Sequence, residues 1–202
     1  MGKYSAQLNG LVLAGGKSVR MGRDKAAIQW YSKEQQYHLA DVLNVLCEEV
    51  TISCKEIADH YNLLEYKFLP DAVKEAGPLG AILTALQKEP GKAWLVVACD
   101  LPLVNIATLE YLIKNRDTTS IATTFESPFD GLPEPLVTIW EADSLETLRS
   151  FYSRGITCPR KVLINSNVKI LKVPDPSTLM NVNDPAEATM VRHIISKQTS
   201  CN

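Results

Sequence analysis

The sequence predicts an α/β domain built on a mostly parallel sheet, and three observations carry that expectation. Apolar residues alternate along the chain between short continuous runs and stretches with helical spacing, the alternation of βα units. The run "AWLVVACD" (93–100) is apolar without a break until its closing acid, as a strand covered on both faces would be. The helical stretches are bounded by capping residues rather than fading into polar sequence.

Taken in order, "GLVLA" (10–14) reads as a short buried strand. Leu39, Val42, Leu43 and Leu46 recur at helical spacing, which predicts an amphipathic helix over 35–47. "EVTISC" (49–54) and "YKFLP" (66–70) return to strand character. Pro78 is suited to a first helical turn, and Leu79, Ile82, Leu83 and Leu86 make one face behind it. After the strand at 93–100, Asn105 is placed to cap a helix over 106–115. "TSIATTF" (119–125) and "PLVTIW" (135–140) are β-rich and flank the turn "ESPFDGLPEP". A helix over 142–154 should stop at Gly155, where a left-handed cap is needed. "VKILKV" (168–173) is the last strand. The last helix opens with Asp184 as N-cap, Pro185 in the first turn and Glu187 completing a capping box.

No linker, repeat or low-complexity stretch divides the 202 residues, so one domain over 1–202 is expected, with its core at about 8–197. A net charge of −2 argues against broad electrostatic binding of nucleic acid. No apolar run approaches the roughly 20 residues that span a bilayer, and "MGKYSAQLNG" lacks the apolar centre of a secretory signal. The five cysteines form no C-x-x-C pair and His38, His60 and His193 have no ligand spacing. A cytoplasmic chain with reduced thiols is the expectation, monomeric or weakly self-associating, without a membrane or nucleic-acid partner.

In such sheets ligands bind beyond the carboxyl ends of the strands. Three features follow expected strands and should share one rim: the run "LAGGKSVRMGRDK" (13–25), Asp71 and Asp100. The run is no Walker A loop, because Leu11 stands where the first glycine would be needed, and Gly15, Gly16 and Gly22 do not make a dinucleotide fingerprint. Its chemistry still suits phosphate. Gly15 and Gly16 let a backbone approach a ligand closely, and successive free N–H groups can cradle oxyanions. Lys17, Arg20, Arg23 and Lys25 add positive charge, as a triphosphate requires on binding and on departure of its leaving group. Asp100, just beyond a buried strand, has the hard oxygen chemistry that Mg²⁺ prefers.

The run "LAGGKSVRMGRDKA" resembles the signature loop of the sugar-phosphate and cofactor nucleotidyltransferases, and in its short form most resembles that of the molybdenum cofactor guanylyltransferases, the MobA family. "PDAVKEAGPLGAI", "VVACDLPLV", "DGLPEPL" and "NVNDPAEA" follow in the family's order, so the resemblance covers nearly the whole chain. It implies a Rossmann-like three-layer α/β/α domain of the nucleotide-diphospho-sugar transferase type. It also implies transfer of GMP from GTP to molybdopterin with release of pyrophosphate, dependent on Mg²⁺. On that pattern Leu13, Ala14, Gly15, Gly16, Lys25, Ser53, Asp71, Gly77, Pro78 and Asp100 contact the nucleotide. Arg20 and Lys25 neutralise the leaving group and Asp100 holds the metal, while Glu134, Pro135, Arg160 and Asn183 face the acceptor.

Two stretches depart from the pattern. "ISCKE" offers Ser53 where the family often has Asn, and "YSKEQQ" replaces a Gly-Lys-Pro-like turn. The first leaves guanine preference open against transfer of CMP, or of a nucleotide to a sugar or polyol phosphate. A nucleotide-binding module without turnover is the remaining alternative, against which Lys25 and Asp100 together argue.

Overall fold

The computed structural model describes residues 8–14, 25–58, 61–73 and 75–199, with Lys25, Gln198 and Thr199 described by backbone alone. Seven strands form one sheet: β1 (Leu8–Leu13), β2 (Val50–Cys54), β3 (Lys67–Pro70), β4 (Ala93–Ala98), β5 (Ala122–Glu126), β6 (Pro133–Trp140) and β7 (Val168–Lys172). Their order is β3-β2-β1-β4-β6-β5-β7. All neighbours run parallel except at β6, which is antiparallel to both β4 and β5. The chain steps outward from β1 to β2 and β3, then returns to place β4 on the other side of β1. In open sheets of this kind such a reversal is where a ligand crevice is expected beyond the carboxyl ends of the strands.

The helices are α1 (Gln35–Asn44), α2 (Gly77–Lys88), α3 (Ile106–Lys114), α4 (Ser144–Ser153), α5 (Pro159–Ile164) and α6 (Pro185–Thr199). Strand alternation sorts the core into two layers. On β4, Ala93, Leu95 and Val97 join Leu39 and Leu43 of α1 and Leu109 and Leu112 of α3. Trp94, Val96 and Ala98 face the other way, onto α2, Leu148 of α4 and Val162 of α5. Helix α2 has no side-chain cap, so its buried Leu79, Ile82, Leu83 and Leu86 hold it, each such side chain contributing roughly 1.5–3 kcal/mol over exposure.

Expected caps are present. Asn105 Oδ1 accepts from Thr108 N–H at 3.0 Å. Asp184 Oδ1 accepts from the Ala186 and Glu187 N–H groups at 2.8 and 2.9 Å, and Glu187 Oε2 accepts from Asp184 N–H at 3.3 Å. Gly155, with φ of 76°, ends the helix before it. Helix α1 closes at Asn44, three residues before the expected end, because Leu46 and Cys47 N–H groups both turn back to the Leu43 carbonyl. Helix α5 is not among the expected elements; six residues are too few to show a period, and its one local signal is Pro159 in the first turn. The expected turn over 126–135 is shorter than its sequence suggests, since Glu134 and Pro135 already lie in β6 and are buried.

Candidate active site

The rim of the crevice is built from strand ends held in register. Leu13 pairs with Ser53 on one side and Ala98 on the other, and Cys99 N–H donates to the Leu13 carbonyl at 3.2 Å. Ala14 is half-buried beyond β1, and Ser53 is buried at the end of β2. Asp71 follows β3, its N–H donating to the Cys54 carbonyl at 2.8 Å. Leu13, Ala14, Ser53, Asp71 and Asp100 are thus neighbours along one edge, as expected. Gly15, Gly16 and Arg20 lie outside the described residues; Lys25 begins a short 3₁₀ turn, Lys25–Ala27.

Asp71 lies in a tight corner. Its Oδ1 is buried with no hydrogen-bond partner, and burial pushes its carboxyl up to about 6, with Lys55 pulling the other way. The following loop folds closely onto α2: the Ala72 N–H donates to Thr84 Oγ1 at 3.0 Å, and a Cβ on Gly80 would stand 2.5 Å from the Val73 carbonyl oxygen. Glu75 at φ 60° and Gly77 at φ 54° then turn the chain into α2, leaving Gly77 and Pro78 exposed at its start. A left-handed Glu is unusual and marks a constrained approach.

Asp100 lies just past β4. Its carbonyl accepts from Val182 N–H at 2.8 Å, which draws the segment 181–183 to the rim. Asn181, next to this tether, has a buried Oδ1 with no hydrogen-bond partner, while Asn183 is exposed and lends its N–H to Glu187 Oε2 at 2.6 Å. Tyr31 O–H reaches the Pro102 carbonyl at 3.0 Å and stacks on His38, bracing the Asp100 loop from the other side.

Because β6 runs antiparallel, its beginning meets the ends of its neighbours. A bulge between Thr124 and Glu126 of β5 shifts the register there. The Glu134 carbonyl accepts from Thr124 and Thr138 Oγ1 at 2.5 and 2.7 Å, so its backbone is fixed. The Glu134 side chain is 3% exposed, and its Oε1 accepts from Leu136 N–H at 3.0 Å. Burial raises its pKa; the Leu136 N–H and Arg160 oppose this, whereas the charges of Asp100 and Asp130 add to it. Arg160, on α5, donates through Nη1 to Asp130 Oδ2 at 2.6 Å and lies 3.4 Å through Nη2 from Glu134 Oε2.

Glu134 and Arg160 are therefore brought together, and Glu134 feels the Asp100 charge. Sequence reasoning missed Asp130, which stands before Gly131 and reads there as turn chemistry alone, and passed over Asn181 and Tyr31. Among the described residues no group of three or more His, Cys, Asp or Glu could hold a metal.

A sheet with this reversal of order, with acids just beyond β3 and β4, has the α/β architecture of the nucleotide-diphospho-sugar transferase fold. The profile of the MobA-like NTP transferase domain matches residues 10–169, and the chain belongs to that family. It is 35% identical over 181 residues to the molybdenum cofactor biosynthesis bifunctional protein of Synechocystis sp., covering 89% of this chain and 52% of that protein, so the chain spans about half of that relative's length. It is 29% identical over 182 residues to a probable molybdenum cofactor guanylyltransferase of Flavobacterium johnsoniae, covering 89% and 94% of the two chains. Among solved structures, molybdopterin-guanine dinucleotide biosynthesis protein A from Archaeoglobus fulgidus superposes with a TM-score of 0.78 at 22% identity, covering 94% of this chain and 99% of that one.

Proposed function

We propose that this chain is a molybdenum cofactor guanylyltransferase that moves GMP from GTP to molybdopterin. The observation that carries the reading is the meeting of Asp100, Glu134 and Arg160 on the rim beside the end of β1, an acid for a cation next to a base for an anion. The names of the relatives support the choice of substrates.

An oxygen of the acceptor's terminal phosphate attacks the α-phosphorus of GTP. The bond from that phosphorus to the β-phosphate oxygen breaks, and pyrophosphate leaves. No covalent enzyme intermediate is required, so positioning and charge neutralisation carry the rate. Leu13 and Ala14 line the nucleotide's path, and Asp71, Ser53 and the backbone at Gly77 and Pro78 take its base. Arg20 and Lys25, with the amides of Gly15 and Gly16, would neutralise the phosphates and the departing pyrophosphate. Asp100 would hold Mg²⁺, which when bound spreads the charge of the phosphoryl oxygens. Arg160 takes the acceptor's phosphate, with Glu134 fixing its guanidinium, Pro135 shaping the wall and Asn183 at the opening. No helix of the described residues is long and apolar enough to cross a membrane, consistent with soluble substrates.

Calorimetric titration of GTP and CTP, each with Mg²⁺, followed by turnover with molybdopterin tests this. Preference for GTP, guanylyl transfer, and loss of turnover in Asp100→Asn are expected. Preference for CTP would move the chain to cytidylyl transfer, and binding without pyrophosphate release would refute an enzyme.

A further inference from the structure

The Ser127–Leu132 turn presents a carboxylate to Arg160 from outside the core. Arg160 divides its two terminal nitrogens between acids of one hairpin: Nη1 donates to Asp130 Oδ2 at 2.6 Å, and Nη2 faces Glu134 Oε2 at 3.4 Å. The two acids differ in burial. Glu134 is buried, anchored by Leu136 N–H, and its backbone is locked by two threonine hydroxyls. Asp130 is 42% exposed at its side chain, and Arg160 28%. The Asp130 Oδ1 accepts from Leu132 N–H at 3.1 Å, and the Ser127 side chain also bonds the carboxylate, which keeps one arm on the arginine.

The charges decide what this does. Among the described residues Asp130 and Glu134 both face the guanidinium, and the Asp100 charge also acts on Glu134. A phosphate approaching Arg160 meets a cation already paired with two carboxylates. Removing Asp130 from the arginine frees a planar donor pair of the geometry that phosphate oxygens match. An exposed ion pair contributes little to stability, so its exchange for a dianion is easy.

We propose that Asp130 is a placeholder carboxylate that occupies Arg160 in the empty enzyme and is displaced by the terminal phosphate of the acceptor. Asp130 thereby selects for an acceptor group that carries more than one negative charge and excludes single carboxylates and neutral hydroxyls. The inference rests on the reading of Arg160 as the acceptor's phosphate contact.

The test uses Asp130→Asn, which keeps an oxygen for Leu132 N–H and removes the charge, with Arg160→Ala and the double variant. Inorganic phosphate at about pH 8, a dianion, is titrated by calorimetry, and the acceptor KM is measured with molybdopterin. Asp130→Asn is expected to tighten phosphate binding and lower the acceptor KM by up to about fivefold, with the KM for GTP unmoved. Arg160→Ala should weaken both, and adding Asp130→Asn to it should change nothing further. If Arg160→Ala leaves phosphate binding and acceptor KM unchanged, the reading of Arg160 fails and the placeholder with it. If Arg160→Ala weakens both but Asp130→Asn fails to strengthen either, or weakens them, the placeholder alone is overturned, and Asp130 instead orients the arginine.

Discussion

Asp71 offers a test in which stability and binding move in opposite directions. Its carboxyl titrates at about 6 in the folded chain against an ordinary 3.8, because burial disfavours the charged form more than Lys55 favours it. Between those values the folded state holds a proton that the unfolded state has lost. Stability is therefore full below about pH 4 and falls as pH rises through 6, a difference of two pKa units or at most about 3 kcal/mol. Partial exposure of the side chain reduces this to about 1–2 kcal/mol. Asp71→Asn removes the charge while keeping the shape. Thermal unfolding at neutral pH should show the variant more stable by roughly 2–8 °C, with the gain vanishing near pH 4.

Binding should show the reverse. A carboxylate facing the N–H donors of a guanine edge must be ionised, and a pKa of about 6 leaves it about nine-tenths charged at pH 7 and about one-tenth at pH 5. GTP affinity should fall about tenfold over that interval, and the fall should disappear in Asp71→Asn. The variant's own loss at pH 7 should be roughly 10- to 100-fold, the scale of a hydrogen bond to a charged group. Calorimetry at the two pH values measures both. A variant that is less stable at neutral pH, or a wild-type affinity flat from pH 7 to 5, would refute the argument that this acid is held charged at a cost for the sake of a ligand.

Further outcomes follow from other sites. Arg116 donates to both carboxylate oxygens of Glu141 at 2.7 and 2.6 Å with both side chains nearly buried, so Arg116→Ala should destabilise by about 3–5 kcal/mol in chemical denaturation. The double change to apolar residues should recover much of that loss. Gly80→Ala puts a Cβ against the Val73 carbonyl, so it should cost about 1–3 kcal/mol and weaken nucleotide binding by displacing the Asp71 loop. Asp184→Ala removes the acceptor for two N–H groups at the start of α6 and should cost about 0.5–2 kcal/mol in thermal unfolding.

What was legible in the sequence follows from what is local. Strand β4 announces itself because both of its faces are covered, and α6 because a complete capping box precedes it. The shared rim of Leu13, Ser53, Asp71 and Asp100 could be inferred because each ends a strand in a parallel sheet. The antiparallel direction of β6 has no signature of its own, since a buried strand reads alike in both directions. Its direction nonetheless puts Glu134 beside Asp100, and through Glu134 the arginine of a helix too short to show a period. Asp130 was illegible for a different reason: an Asp-Gly pair serves a turn with or without an arginine nearby.

The site also depends on residues beyond the span that the family profile matches, which closes at 169. A small third core joins Trp30, Leu103 and Val182 to Val191 and Ile195 of α6, with Ile28 and Met180 against them and Arg192 over the Trp30 ring. Those residues come from three separated segments: the one that follows the Lys25 turn, the one that follows Asp100, and the one that holds Asn181 and Asn183. None of the three is part of the sheet; Val182 N–H reaches the Asp100 carbonyl just beyond β4. Packing on α6 joins all three, alongside the Tyr31 O–H bond to the Pro102 carbonyl and the Val182 N–H bond to the Asp100 carbonyl. The cap that starts α6 is in this sense part of the site: the Glu187 carboxylate receives the Asn183 N–H and the helix start at once. A helix outside the sheet thus helps to set the distance between the Lys25 turn and Asp100.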